Sequence, residues 1–103
     1  MKKIVYVVEE INTKGDDFDY AITFDINEAR LKLEDSAYRG YKLNKKTPED
    51  TKYYIFGYEI DTAIIDEDEE YDINDAKSLY TAYLNSVLSP DFTFEEEYKC
   101  EEI

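Results

Sequence analysis

The sequence predicts an α+β fold, with a single mostly antiparallel sheet and two helices packed on one face of it. Runs rich in β-branched and aromatic residues alternate with two stretches of helical periodicity, which gives the order β-β-α-β-(β)-α-β. Each helical stretch begins at a similar seven-residue motif whose second residue is aspartate. With 103 residues, the chain is expected to form a single domain, 1–103.

Two β-prone runs open the chain. Residues 3–10, KIVYVVEE, are rich in β-branched side chains, and residues 18–24, FDYAITF, form the next such run. Gly15 and the two aspartates after it lie between the runs and are typical of a turn. The pattern therefore predicts an N-terminal hairpin.

The motif FDINEAR, at 24–30, predicts the start of the first helix. Asp25 is the expected N-cap, and Glu28 three residues later completes a capping box. Apolar residues follow at helical spacing, and Gly40 is the expected C-terminal cap. These signals predict a helix over about 26–39.

A long β-prone run, residues 52–66, follows a polar loop. Both of its alternating faces are partly apolar, which is typical of a central strand of a sheet. We expect this strand to bend or to break at Asp61 and Thr62. A break there would leave a further short strand at 63–65.

The motif YDINDAK, at 71–77, nearly repeats the first helix start. Asp72 is the expected N-cap, Asp75 the third helical residue, and the helix is predicted over about 73–88. Because the similarity covers seven residues and not their flanks, we interpret it as one capping device used twice. Alternating residues at 91–100 then predict a final strand.

The chain has few of the residue patterns that support catalysis or metal binding. It contains no histidine, which is the commonest general base and metal ligand, and Cys100 is its only cysteine. An EF-hand alignment of residues 66–77 fails, because Tyr71 and Lys77 occupy the positions of the required Gly and Glu. We therefore expect no catalytic residue, no metal site and no cofactor. An enzyme that uses paired carboxylates is the least favoured class.

The charge is strongly negative, with 26 acids against 12 bases and a net charge of −14. Residues 59–103 hold most of the excess, since Lys77 and Lys99 are their only bases. Such a chain repels nucleic acids and anionic membranes and is attracted to basic surfaces. The acids predicted to contact a partner are Asp66, Glu67, Asp68, Glu69, Glu70, Asp72, Asp75, Glu95, Glu96 and Glu97.

In size, acidity and lack of a catalytic set, the chain resembles the small acidic nucleic-acid mimics of phages and mobile elements, of the anti-CRISPR or anti-restriction type. This resemblance implies a non-enzymatic inhibitor that occupies the DNA- or RNA-binding cleft of a basic host protein, such as a CRISPR effector. It implies no direct contact with nucleic acid or membrane. The alternative is an acidic adaptor or regulatory protein, a homodimer in one version, whose charge serves solubility only.

The N-terminus, MKKIVYVVEE, carries no pattern typical of export. Its apolar run extends only from Ile4 to Val8, which is shorter than the apolar region of a signal peptide or a membrane-spanning helix. We therefore expect a cytoplasmic protein. For an inhibitor of this class, that is the cytoplasm of the bacterial host cell.

Overall fold

The computed structural model describes residues 1–64 and 72–99. One antiparallel sheet has the strand order β2-β1-β3-β4, and it is accompanied by two α-helices, which confirms the predicted α+β class. Neither helix of this described part is long and apolar enough to cross a membrane. The elements are β1 (Lys2–Asn12), β2 (Asp17–Thr23), α1 (Ile26–Tyr38), β3 (Thr51–Asp61), α2 (Ala76–Ser86) and β4 (Phe94–Glu97).

The two helices pack against opposite faces of the sheet, so the prediction that both lie on one face is wrong. Val5 and Val7 of β1 belong to a buried cluster with Leu79 of α2, whereas Val8 belongs to a second cluster with Leu33 of α1. Side chains alternate between the two faces of a strand, so Val8 faces away from the two other valines. A strand that is apolar on both faces needs a covering layer on each side, and the two helices supply these layers.

The start of α1 agrees with the prediction, although the capping box is closed indirectly. The Asp25 carboxylate accepts a 2.9 Å hydrogen bond from the backbone N–H of Asn27. The Thr23 hydroxyl accepts from the backbone N–H of Asp25 at 3.1 Å and donates to the Glu28 carboxylate, also at 3.1 Å. Thr23 therefore links the two predicted capping residues.

Gly40 does not cap α1, because the chain continues into a π-helical turn, Arg39–Leu43. Among the glycines, only Gly15 has the positive φ that a left-handed C-terminal cap requires. A Cβ at position 40 would instead overlap the hydroxyl of Tyr53. Glycine is therefore needed here so that Tyr53 can approach the backbone.

The second helix begins at Ala76, three residues later than predicted, and its N-cap is Asp75 rather than Asp72. The Asp75 carboxylate accepts hydrogen bonds of 2.9 and 3.4 Å from the backbone N–H groups two and three residues later. The Asp72 carboxylate accepts from the backbone N–H of Asn74 at 2.8 Å, which closes a turn before the helix. The two similar motifs thus cap their helices with different aspartates.

Several predicted ends shift for local reasons. A 3₁₀ turn, Thr62–Ile64, follows β3 in place of a short strand, and residue 65 lies outside the described residues. α2 ends at Ser86, before the predicted 88, because Val87 is already extended. β4 occupies only 94–97 of the predicted 91–100, and residue 100 is outside the described part. Asp91 is hydrogen-bonded through its backbone to the Tyr83 hydroxyl of α2, which holds it away from β3.

Candidate functional site

We call the sheet face against which α2 packs the α2 face. The helix covers only part of this face. The helix packs over the end of this face that holds Val5 and Ile60. At the other end lies an open groove of about 330 Å³, lined by Ile11, Tyr54 and other residues. The described lining of this groove includes Phe56 and Phe92, so the groove combines apolar and charged side chains.

The floor of the groove is aromatic. The Tyr54 and Phe56 rings stack with their centroids 5.3 Å apart, and the Phe92 ring lies 4.6 Å from that of Phe56. Phe92 is 45% exposed although it is a large apolar side chain. The hydrogen bonds between Tyr83 and the backbone of Asp91 hold Phe92 over the sheet.

Each edge strand places two carboxylates on the same face as the groove. They are Asp17 and Asp19 on β2 and Glu95 and Glu97 on β4, which pair in register with α2-face residues of the central strands. Within a row the acids are two residues apart, or roughly 6.6 Å. Three strand spacings, roughly 14 Å in total, separate the two rows. We call these four acids, together with the groove between them, the acidic face.

One base lies among these acids. Lys52 lines the groove, and its Nζ forms an ion pair of 3.4 Å with Glu97. Within residues 1–64 and 72–99, no base forms an ion pair with Glu95. Glu49 and Asp50 add two more carboxylates to the lining of the groove. The acidic face therefore keeps a large excess of negative charge.

A further acid, Glu9 of β1, lies beside the β2 row and is half-buried on the same face. Burial raises the pKa of Glu9 to about 8, and a hydrogen bond to Asp19 and the charges of Asp19 and Asp17 act in the same direction. At neutral pH, most of the Glu9 side chains therefore carry a proton. Glu9 and Asp19 then share that proton in place of repelling each other.

The raised pKa of Glu9 predicts a pH-dependent stability. The folded pKa of about 8 exceeds the ordinary value of 4.5, so between these values the folded state holds a proton that the unfolded state has lost. The free energy of unfolding should therefore fall as the pH rises through this window. We expect Glu9→Gln to stabilise the protein by about 1 kcal/mol at pH 8, a value discounted for screening by water.

Urea denaturation of both proteins at pH 4 and pH 8 measures this effect. At pH 4 the two should differ little, because most Glu9 side chains are protonated in both the folded and the unfolded state. As a control, Asp19→Asn should also flatten the pH profile, since it removes the nearest negative charge. A variant Glu9→Gln whose stability follows the wild-type pH profile would contradict the assignment of the shared proton to this pair.

The acids that the sequence predicted to contact a partner lie partly within and partly outside the described residues. Asp66, Glu67, Asp68, Glu69 and Glu70 lie outside the described residues. Glu96 is not on the acidic face, because it projects to the α1 side and pairs with Arg30 at 3.0 Å. Of the predicted acids that lie within 1–64 and 72–99, only Glu95 and Glu97 belong to the acidic face.

Asp72 and Asp75 are exposed at the other end of the sheet. Ile73, which lies between them, accepts a hydrogen bond from Lys3, a residue paired with Ile60 near the end of β3. Glu97 is paired with Tyr54, six residues earlier on β3, which corresponds to roughly 20 Å along the strand. Within the described part, the predicted acids therefore do not form a contiguous patch.

Sequence reasoning missed the acids of the β2 row. Residues 1–58 hold 11 acids and 10 bases, which predicts a nearly neutral half of the chain. Six of the chain's 12 bases, however, lie in residues 30–46, in α1 and the segment after it. Because α1 packs on the opposite face, these bases are separated from Asp17 and Asp19. The i, i+2 spacing of the motif DFD, at 17–19, was the signal in the sequence that could have found this row.

A buried ionic cluster lies on the face that α1 covers. Glu10 is only 1% exposed, and its Oε1 accepts hydrogen bonds from the Tyr53 hydroxyl at 2.5 Å, Lys46 Nζ at 2.9 Å and the Tyr20 hydroxyl at 3.2 Å. Burial alone would raise the pKa of Glu10, but the hydrogen bonds from Tyr53 and Lys46 outweigh it and lower the pKa. This cluster ties the segment after α1 to the sheet, which is a structural role.

Among residues 1–64 and 72–99, no group of three or more cysteines and acids is placed to hold a metal ion. Comparisons with protein families, with characterised proteins and with solved structures found no match. The chemistry of the acidic face is therefore the basis for inferring a function.

Proposed function

We propose that this protein is a non-enzymatic inhibitor of a basic, nucleic-acid-binding bacterial protein. Its acidic face occupies the DNA- or RNA-binding cleft of that partner in the bacterial cytoplasm. The observation that supports this proposal most directly is the pair of carboxylate rows, with aromatic rings between them, on one open sheet face. The two acids of β2 are added here to Glu95 and Glu97, which the sequence predicted as partner contacts.

The arrangement of the acidic face fits a cleft that recognises a polynucleotide. Such clefts present Lys and Arg to the phosphates and aromatic side chains to the base rings. The two rows of carboxylates lie roughly 14 Å apart, which is close to the width of the major groove of B-DNA, about 12 Å. The Tyr54 and Phe56 rings lie between the rows, as base rings lie between the two phosphate backbones.

The electrostatics of the protein favour the same kind of partner. The net charge of −14 attracts a cationic cleft from a distance and accelerates encounter with it. Asp17 and Glu95 are exposed, so their attraction to a partner is screened by salt. Binding should therefore weaken as the ionic strength rises, in the way that binding of nucleic acid to the same cleft does.

Charge reversal on both rows tests this proposal. We expect the double variant Asp17→Lys, Glu95→Lys to reduce capture of the partner from a bacterial lysate at low salt by about tenfold or more. Added DNA or RNA oligonucleotide should displace the same partner from the wild-type protein. The retained and displaced proteins are measured by quantitative mass spectrometry.

The matched control reverses two exposed acids of α1, Glu34→Lys and Asp35→Lys, which changes the net charge equally on the opposite face. This control should retain the partner. Equal loss of capture in both variants would show that capture depends on net charge and not on the position of the acids, which would contradict the role given to the acidic face. Capture that neither salt nor oligonucleotide disturbs would instead favour an adaptor whose charge serves solubility only.

A further inference from the structure

We propose that the groove of the acidic face receives an arginine side chain of the partner, with the guanidinium stacked on the aromatic floor and bound by the Glu95 carboxylate. This inference rests on the proposed function, because it assumes a basic partner. It adds a specific contact to the general attraction of charge. The groove then becomes the anchor of the interface.

The size of the groove suits a single side chain. Its volume of about 330 Å³ is near the lower end of the range of ligand pockets. The groove is open on one side, so a side chain that projects from a partner can enter it. The exposed ring of Phe92 is then covered on binding, as is typical of an aromatic residue at the centre of an interface.

The composition of the groove favours a cation over a neutral apolar group. Phe92 is exposed and Tyr54 is partly exposed, and the quadrupole of an aromatic ring attracts a cation to the ring face. Glu95, Glu49 and Asp50 contribute three carboxylates to the described lining, against the single base Lys52. An apolar side chain would bury these carboxylates without satisfying them, at a cost in binding free energy.

The groove also favours arginine over lysine. The planar guanidinium stacks on an aromatic ring while its edge donates two hydrogen bonds to a carboxylate, and an ammonium group cannot do both. Glu95 is available for these bonds, since no base of the described residues forms an ion pair with it. Lys52 is held by Glu97 on the neighbouring position of the row.

The negative charge extends to the floor of the groove. Burial raises the pKa of the Tyr54 hydroxyl, and the negative charges of Glu97 and Glu95 raise it further, against the opposing effect of Lys52. Glu97 and Glu95, the two carboxylates of the β4 row, therefore both act on the Tyr54 hydroxyl at the floor of the groove. This agrees with the position assigned to the guanidinium by the rings and by Glu95.

Titration with short peptides, followed by NMR, tests the assignment. The probes are acetyl-Gly-Arg-Gly-amide and its lysine counterpart, added to uniformly ¹⁵N-labelled protein. We expect the arginine peptide to shift the amide signals of Phe56, Phe92 and Glu95, and to bind more tightly than the lysine peptide. Phe92→Ala and Glu95→Gln should each weaken the binding by about fivefold.

The control variants make the same changes on the other face. Phe18 is 51% exposed and pairs with Glu10, which places it on the side that α1 covers. Phe18→Ala and Glu34→Gln should therefore leave the peptide affinity unchanged. Circular dichroism of each variant verifies that it is folded, and Glu95→Gln alone suffices for the test if Phe92→Ala does not fold.

Two results would overturn the assignment. One is equal affinity for the arginine and lysine peptides. The other is a set of shifts confined to Asp17, Asp19 and their neighbours, with no loss of affinity in Phe92→Ala. Both results leave the proposed function intact, because the carboxylate rows would still bind basic partners. Conversely, selective arginine binding in the groove, with lysate capture insensitive to charge reversal, would refute only the proposed function.

Discussion

Replacing Gly40 with alanine is expected to destabilise the protein by about 3 kcal/mol, although the same change at a helical backbone usually stabilises a protein by about 0.4–1 kcal/mol. The new Cβ would overlap the Tyr53 hydroxyl, and Tyr53 is only 1% exposed, so it has little room to move. Displacing the ring would also break its hydrogen bond to the Glu10 carboxylate. Such a bond to a charged group contributes about 1.5–3 kcal/mol.

Urea denaturation of Gly40→Ala measures this loss, and Gly15→Ala is its control. A Cβ at position 15 would have no neighbouring atom within 4 Å, but the φ of +82° there strains any side chain. We expect a loss of about 1 kcal/mol at this position, from strain alone. If Gly40→Ala is as stable as the wild-type protein, Tyr53 can move aside, and close approach does not explain the glycine.

Replacing Lys46 with methionine is expected to destabilise the protein by about 2 kcal/mol at neutral pH. The change keeps the length of the side chain but leaves the buried Glu10 carboxylate without the cation that pairs with it. Breaking a fully buried ion pair costs about 3–5 kcal/mol. We expect less here, because the Lys46 side chain is 36% exposed and water screens it.

The effect of Lys46→Met should depend on pH. The folded pKa of Glu10 lies below its ordinary value of 4.5, so the stability contributed by its charge is present above pH 4.5 and is lost as the pH falls through the folded pKa. The difference between variant and wild type should therefore shrink in acid. The control is Lys45→Met at the exposed neighbouring position, with an expected change below about 0.5 kcal/mol. Equal losses at both positions would contradict the role given to the ion pair.

The strands and their order along the chain were predictable, because alternation and β-branched runs depend on local sequence. The same alternation also indicates which faces of the sheet the helices cover, and the prediction of one face did not use it. β1 carries Val7 and Val8 on opposite faces, and β3 carries Ile55 and Phe56 in the same way. Two apolar faces require two covering layers. The placement of α1 and α2 on opposite faces could therefore have been predicted from the central strands.

The role of Gly40 and the composition of the acidic face depend on residues far apart in the chain. A glycine after a helix predicts a cap, and only the fold brings Tyr53 against it. The sequence named Glu95 and Glu97 among the acids that contact a partner, and in a strand their i, i+2 spacing places them on one face. It could not place Asp17 on the same face as that row, because the strand order and register that bring β2 and β4 to the two edges are set by tertiary pairing.

The shared proton of Glu9 and Asp19 has a consequence for any cationic ligand of the acidic face. A positive charge docked beside this pair favours the ionised form of Glu9, so the complex releases the proton that the free protein holds. Binding is therefore coupled to proton release, and the affinity should rise as the pH rises from mildly acidic to mildly alkaline. Below neutral pH, removal of the proton from Glu9 lowers the net binding free energy.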